Sequence, residues 1–159
     1  MKLWLLVSLP LYLLDQITKA LVRRTISTEE LIPVIPDFLN LVHVHNTGAA
    51  FGVLRDNNLF FVVLSISALI ILIVLGRRNT FADRSSGWAC ALLVAGVAGN
   101  LTDRLLHGHV VDFIDVILPW YGRWPAFNVA DSCICVAAGL FVLGSFLDGK
   151  RRKVQPSLR

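Results

Sequence analysis

Charge is scarce in this sequence. Only 16% of its 159 residues are Asp, Glu, Lys or Arg, against 55% hydrophobic residues, and the mean hydropathy is +0.67. Such a composition excludes an ordinary soluble domain of this size and reads as a small integral membrane protein. Cysteine is scarce too: Cys90, Cys133 and Cys135 all lie in apolar runs with no CxxC spacing, so they are read as packing residues with no disulfide framework. No HExxH helix is present. Nor is there a basic face interleaved with aromatics: the net charge of +4 is carried by residues at the ends of apolar segments, which excludes nucleic acid and fits a membrane. The apolar run after Met1-Lys2 has no small-residue cleavage site and continues into Asp15-Gln16-Ile17-Thr18-Lys19, so it is read as a retained first span.

What is abundant is membrane-length apolar sequence. About 20 helical residues cross the hydrocarbon core. Four stretches meet or nearly meet that length, residues 3–22, 59–76, 87–106 and 128–147, and together they predict one membrane domain over 1–159. The second carries no charge, and the third is rich in Ala and Gly, which lets helices approach closely in lipid. Arg77, Arg78 and Arg84 follow the second span, and Lys150, Arg151, Arg152 and Lys153 follow the fourth. The positive-inside rule then makes both termini cytoplasmic, with nine basic residues inside and six outside. Residues 149–159 are expected to form a disordered basic cytoplasmic tail. Outside, residues 31–55 begin with prolines and β-branched residues in partial alternation, which predicts a small extracytoplasmic β cradle on an otherwise all-α protein. Residues 46–52 read as a turn of small residues where another backbone comes close.

Acids at membrane depth cost on the order of 2.5–3.5 kcal/mol each on insertion scales, so they persist where they have a use. Asp15 and Lys19 stand four apart on one helix face and can pair. Asn100 reaches Asp103 and Arg104 at i+3 and i+4 in a polar knot. Asp131 sits in the first turn of the fourth span with Asn128 three residues before it, a capping arrangement at the positive end of a helix dipole. Asp112 lies within Val110-Val111-Asp112-Phe113, too apolar a setting for a solvated surface acid, whereas Asp115 reads as interface polarity. If Asp112 and Asp131 converge, the two cannot both ionise easily, and a pair sharing one proton is the aspartic-protease arrangement. It needs no metal or cofactor. Two other chemistries stay open on residues alone: a zinc site built from His43, His45, His107, His109 and Asp112, and a serine–lysine dyad of Lys19 with Ser132 or Thr18. Outside enzymes, a small proton-coupled transporter would use the same acids as relays, and a membrane assembly factor would not need them.

The motifs taken together carry more than any one alone. Asp15-Gln16-Ile17-Thr18-Lys19, Asn46-Thr47-Gly48-Ala49-Ala50-Phe51, Gly99-Asn100-Leu101-Thr102-Asp103-Arg104, Val110-Val111-Asp112-Phe113 and Phe127-Asn128-Val129-Ala130-Asp131-Ser132 resemble, in order and spacing, bacterial lipoprotein signal peptidase, or signal peptidase II, over residues 4–149. The resemblance implies a four-helix aspartic endopeptidase of the inner membrane, working near the outer face. Its substrates would be prolipoproteins, cut just before a diacylglyceryl-modified cysteine. It implies Asp112 and Asp131 as the catalytic pair, with Asp15, Lys19, Asn46, Gly48, Asn100, Asp103, Arg104 and Asn128 supporting them or contacting substrate. It also implies contact with membrane lipid, sensitivity to globomycin and a monomeric state. The histidines are not part of that pattern.

Overall fold

A computed structural model of the chain describes residues 2–48, 54–78 and 84–154. Its elements are α1 (Lys2–Thr25), β1 (Leu31–Ile35), β2 (Leu39–Asn46), α2 (Asn58–Arg77), α3 (Arg84–His107), β3 (Val110–Leu118), β4 (Gly122–Arg123) and α4 (Val129–Val154). Within them Leu5–Thr25, Asn58–Arg77, Ser85–His107 and Val129–Phe146 are long and apolar enough to cross a membrane.

The helices are apolar outside as well as inside, as lipid-facing helices are. In α2 only Phe61 and Leu72 are buried, while Leu59, Ile70, Ile71 and Ile73 stand exposed. A helix hydrophobic all round with so little buried is solvated by lipid tails. α3 is the hub, packing against α1, α2 and α4. Its small residues explain why: Ala89, Cys90, Ala91 and Ala95 are buried, and a side chain on Gly96 would be driven into the Ala130 carbonyl and Ile134 of α4.

The extramembrane part is a four-stranded antiparallel sheet in the order β1-β2-β3-β4. The cradle therefore takes half its strands from the α3–α4 connection, beyond the 31–55 stretch expected to form it. Pro33 is accommodated because β1 is an edge strand with an irregularity beside it. Gly108, at φ 77, turns the end of α3 directly into β3. Val22 and Ile26 at the end of α1 form a small core with Val111 and Phe113 of β3, which seats the sheet on the helix ends.

Four membrane-length helices are present as expected; α1, α2 and α3 extend past the expected stretches, and the membrane-length part of α4 is Val129–Phe146. The expected disordered tail is corrected in part: α4 runs on through Val154, its backbone hydrogen bonds carrying the helix past the apolar stretch. Residues 155–159, and Ala49, Ala50, Phe51 and Gly52 of the small-residue turn, lie outside the described residues.

Candidate active site

The site forms where the start of α4 meets β3, α1 and α3. The first backbone N–H groups of a helix have no partner within it. Here side chains satisfy them. Asn128 Oδ1 accepts the Asp131 N–H at 2.9 Å, and Asp131 Oδ2 accepts the Asn128 N–H at 3.2 Å, a reciprocal capping box. Asp15 Oδ1, from α1, accepts the Ala130 N–H at 2.8 Å. The capping read from the sequence is thus present, and it fixes the Asp131 carboxyl at the helix mouth.

Asn128 also faces the other acid. Its Nδ2 lies 2.7 Å from Asp112 Oδ1, and Asn46 Nδ2 donates to Asp112 Oδ2 at 2.8 Å. Asp112 projects from β3, whose position is pinned by the Val111 N–H donating to Asp103 Oδ2 at 3.1 Å. Asn100 Nδ2 donates to Asp131 Oδ1 at 2.7 Å. Burial, then the neighbouring charge of Asp131, push the Asp112 carboxyl up to about 7, against the hydrogen bonds from Asn46 and Asn128.

Behind the two acids lies a buried ionic cluster. Lys19 is fully buried, and its ammonium meets Asp15 Oδ2 at 2.9 Å, Asn100 Oδ1 at 2.9 Å and Asp103 Oδ2 at 3.1 Å. Three donors meet three acceptors, the condition for keeping a charge inside. The Asp15–Lys19 pair expected from spacing is present. The polar knot is arranged differently from the i+3 and i+4 contacts expected of it: Asn100 turns away from Asp103 and Arg104, toward Lys19, Asn128 and Asp131. Arg104 reaches over the Phe61 ring at 4.8 Å and donates to the Gly48 carbonyl at 3.1 Å, while the Gly48 N–H donates to Asn46. All ten site residues expected from the sequence therefore fall in one connected network.

Asp112 and Asp131 open onto one cavity of about 710 Å³, lined also by Asn46, Gly48, Asn100, Arg104, Phe127 and Ile134. A cavity of that size, at the ends of apolar helices and bordered by a sheet, can take an extended peptide segment.

Two alternatives left open by the residues alone find no support in the geometry. Ser132 Oγ donates to the Asn128 carbonyl, Thr18 Oγ to carbonyls of its own helix, and Lys19 is held by acids, so no serine–lysine dyad forms. Among the described residues no group of three or more His, Cys, Asp or Glu side chains is arranged to hold a metal. One residue was misjudged: Asp115 is buried, accepts from Asn40 at 2.8 Å and pairs with Arg123 at 3.5 Å, tying β2, β3 and β4 together. The second acid in the apolar run 110–118 was the available signal for that burial.

The chain matches a family model described as signal peptidase (SPase) II over residues 7–147. It is 40% identical to a lipoprotein signal peptidase of Syntrophotalea carbinolica over 153 residues, covering 94% of both chains. With one from a Janthinobacterium species it shares 44% identity over 144 residues, covering 87% of this chain and 85% of that one. Among solved structures it resembles a bacterial membrane enzyme determined by the in meso method at 2.3 Å, with a TM-score of 0.91 and 31% identity, covering 100% of this chain and 96% of the other. A second such enzyme, at 1.9 Å, gives a TM-score of 0.81 at 34% identity over 91% and 92% of the two chains.

Proposed function

We infer the mechanism from one premise: the chain belongs to the signal peptidase II family. It is a multi-pass membrane peptidase of the kind that removes signal peptides from prolipoproteins. The transporter and assembly-factor readings give way to that membership.

We propose that the peptidase is of the aspartic type, with Asp112 and Asp131 as its catalytic pair. One carboxyl, ionised, takes a proton from a water as the oxygen attacks the carbonyl carbon of the scissile peptide. The other, protonated, hydrogen-bonds the carbonyl oxygen. The tetrahedral intermediate collapses as its C–N bond breaks, the amine leaves with a proton from the pair, and the new carboxyl end stays on the signal peptide. The two acids titrate as a unit sharing one proton. The observation that carries this reading is Asn128, one residue hydrogen-bonded to both carboxyls at the rim of one cavity.

The bond cut is proposed to be the one before a diacylglyceryl-modified cysteine. The diacylglyceryl chains stay in the bilayer, and the apolar signal peptide enters from it, so bond and acids meet near the outer membrane face, where water is available. Asn46, Gly48 and Arg104 border the place where that extended segment would lie. On this reading the protein sits in the inner membrane as a monomer with both termini cytoplasmic, and globomycin blocks it.

The test supplies purified, reconstituted protein with a precursor carrying the diacylglyceryl group and with the same precursor whose cysteine is replaced by serine. Cleavage of the first alone, before the lipidated residue and abolished by globomycin, is expected. Equal cleavage of both would refute the lipid requirement.

A further inference from the structure

The histidines are left over by this chemistry. The chain has four of them. They come from separate places, His43 and His45 on β2, His107 at the end of α3 and His109 just before β3, yet all four form one ladder. Ring centroids are 4.9 Å apart for His43–His45, 4.0 Å for His45–His109 and 6.2 Å for His107–His109, the middle pair stacked with a 31° tilt. One end is anchored. Nδ1 of buried His43 lies 2.8 Å from the Ile26 carbonyl just beyond α1, so that nitrogen donates, and Nε2 has no partner among the described residues. His45 and His107 stand exposed to the medium, and His109 half so.

The ladder sits where the two site-bearing strands join. His45 is in register with Val111, beside Asp112, and Asn46 is in register with Val110. Asn46 is the residue whose amide donates to Asp112. We propose that the four histidines are an acid-sensitive lock on the β2–β3 junction, which keeps Asn46 on Asp112 while the imidazoles are neutral and loosens it when they take up protons. The proposal rests on the Asp112–Asp131 reading for its effect on cleavage, though not for its effect on stability.

Neutral imidazoles stack; two imidazolium rings 4.0 Å apart repel. His45 faces His43 on its own strand and His109 across the junction, and His109 faces His45, His107 and the Asp103 carboxylate of α3, which Lys19 and Arg23 already engage. From α1 the ladder meets the Ile26 carbonyl. Partial loss of hydration at the packed ring faces first, then the neighbouring imidazoles, hold His45 and His109 below the ordinary value of 6.5. The sign follows. An opened junction takes protons at the ordinary value and the closed one only below it, so the lock is whole above about pH 6.5 and is lost as pH falls through the lowered values.

The test compares wild type, His109→Gln and His107→Gln in lipid nanodiscs, reading melting temperature and cleavage of a lipidated precursor from about pH 8 to about pH 5. Protonation of Asp112 raises stability over the same range, so the lock is read as the difference between wild type and each variant, and the share of stability and cleavage that the histidines supply in wild type should be lost below about pH 6.5. In His109→Gln both acid limbs should move down by at least ~0.5 pH unit, with activity at neutral pH within about twofold of wild type; His107→Gln should move them in the same direction by less. Acid limbs of both variants superimposed on wild type would overturn the proposal. If His109→Gln does not fold, His107→Gln decides by the same criterion. The melting curves do not depend on how the peptide bond is cut, so a failed lock and a failed catalytic pair give different results.

Discussion

The side-chain amide of Asn128 donates to Asp112 at 2.7 Å while the same residue exchanges two hydrogen bonds with Asp131 as the cap of α4. One side chain thus couples a helix start to a strand, and its structural and chemical effects can be separated. Asn128→Ala removes a cap, which costs about 1 kcal/mol of stability, and takes from Asp112 its amide donor, while the backbone N–H to Asp131 Oδ2 stays. Cleavage should fall by about a hundredfold or more, far beyond what the small loss of stability explains. Melting curves beside precursor cleavage check this; a loss of activity no larger than the loss of folded protein would make Asn128 a cap alone.

The raised pKa of Asp112 predicts a pH dependence of stability with a definite sign. Its carboxyl sits at about 7 in the fold and at 3.8 ordinarily. The folded state therefore holds this proton more tightly, and the contribution to stability is whole below about pH 4 and lost as pH rises to about 7. Asp112→Asn cannot titrate. Whatever the offset between the two proteins at acid pH, the gap should move toward the variant by up to about 4 kcal/mol between pH 4 and pH 7. Denaturant or thermal unfolding across that range measures it, and a gap that stays constant would contradict the raised value.

Lys19 is the counter-ion of two buried acids. Lys19→Met keeps the apolar stem but leaves Asp15 without its counter-ion and Asp103 with Arg23 alone at 3.7 Å, which should cost about 3–5 kcal/mol and reduce the amount of folded protein in the membrane. Replacing Asp103 by Asn in the same chain should recover part of that loss. A single Lys19→Met variant as stable as wild type would show the cluster to be dispensable.

Much of this was legible in the sequence because each signal was local. Apolar length marked the spans, four-residue spacing the Asp15–Lys19 pair, and the Asn128…Asp131 offset the cap. What was not legible depended on contacts between distant segments. Asn100 is expected from spacing to bond along its own helix, but Lys19, Asn128 and Asp131 take its two amide atoms, while Asp103 and Arg104 find partners in Lys19, the Val111 N–H and the Gly48 carbonyl. The second half of the cradle was hidden because β3 is buried along much of its length and does not alternate. Asp115 was misread for the same reason: its partners, Asn40 and Arg123, lie on two other strands. The apolar run ends at residue 147, yet hydropathy reports where lipid stops, and the helix of α4 continues to Val154.

The catalytic pair is tested most directly by replacing one acid at a time. Asp112→Asn and Asp131→Asn, each purified in nanodiscs and verified by melting curve to be folded, are given a diacylglyceryl-modified precursor, and the released signal peptide is measured against wild type. The account predicts that each variant loses cleavage by on the order of a thousandfold or more while still inserting and folding. Processing by either folded variant at a rate near that of wild type would contradict it.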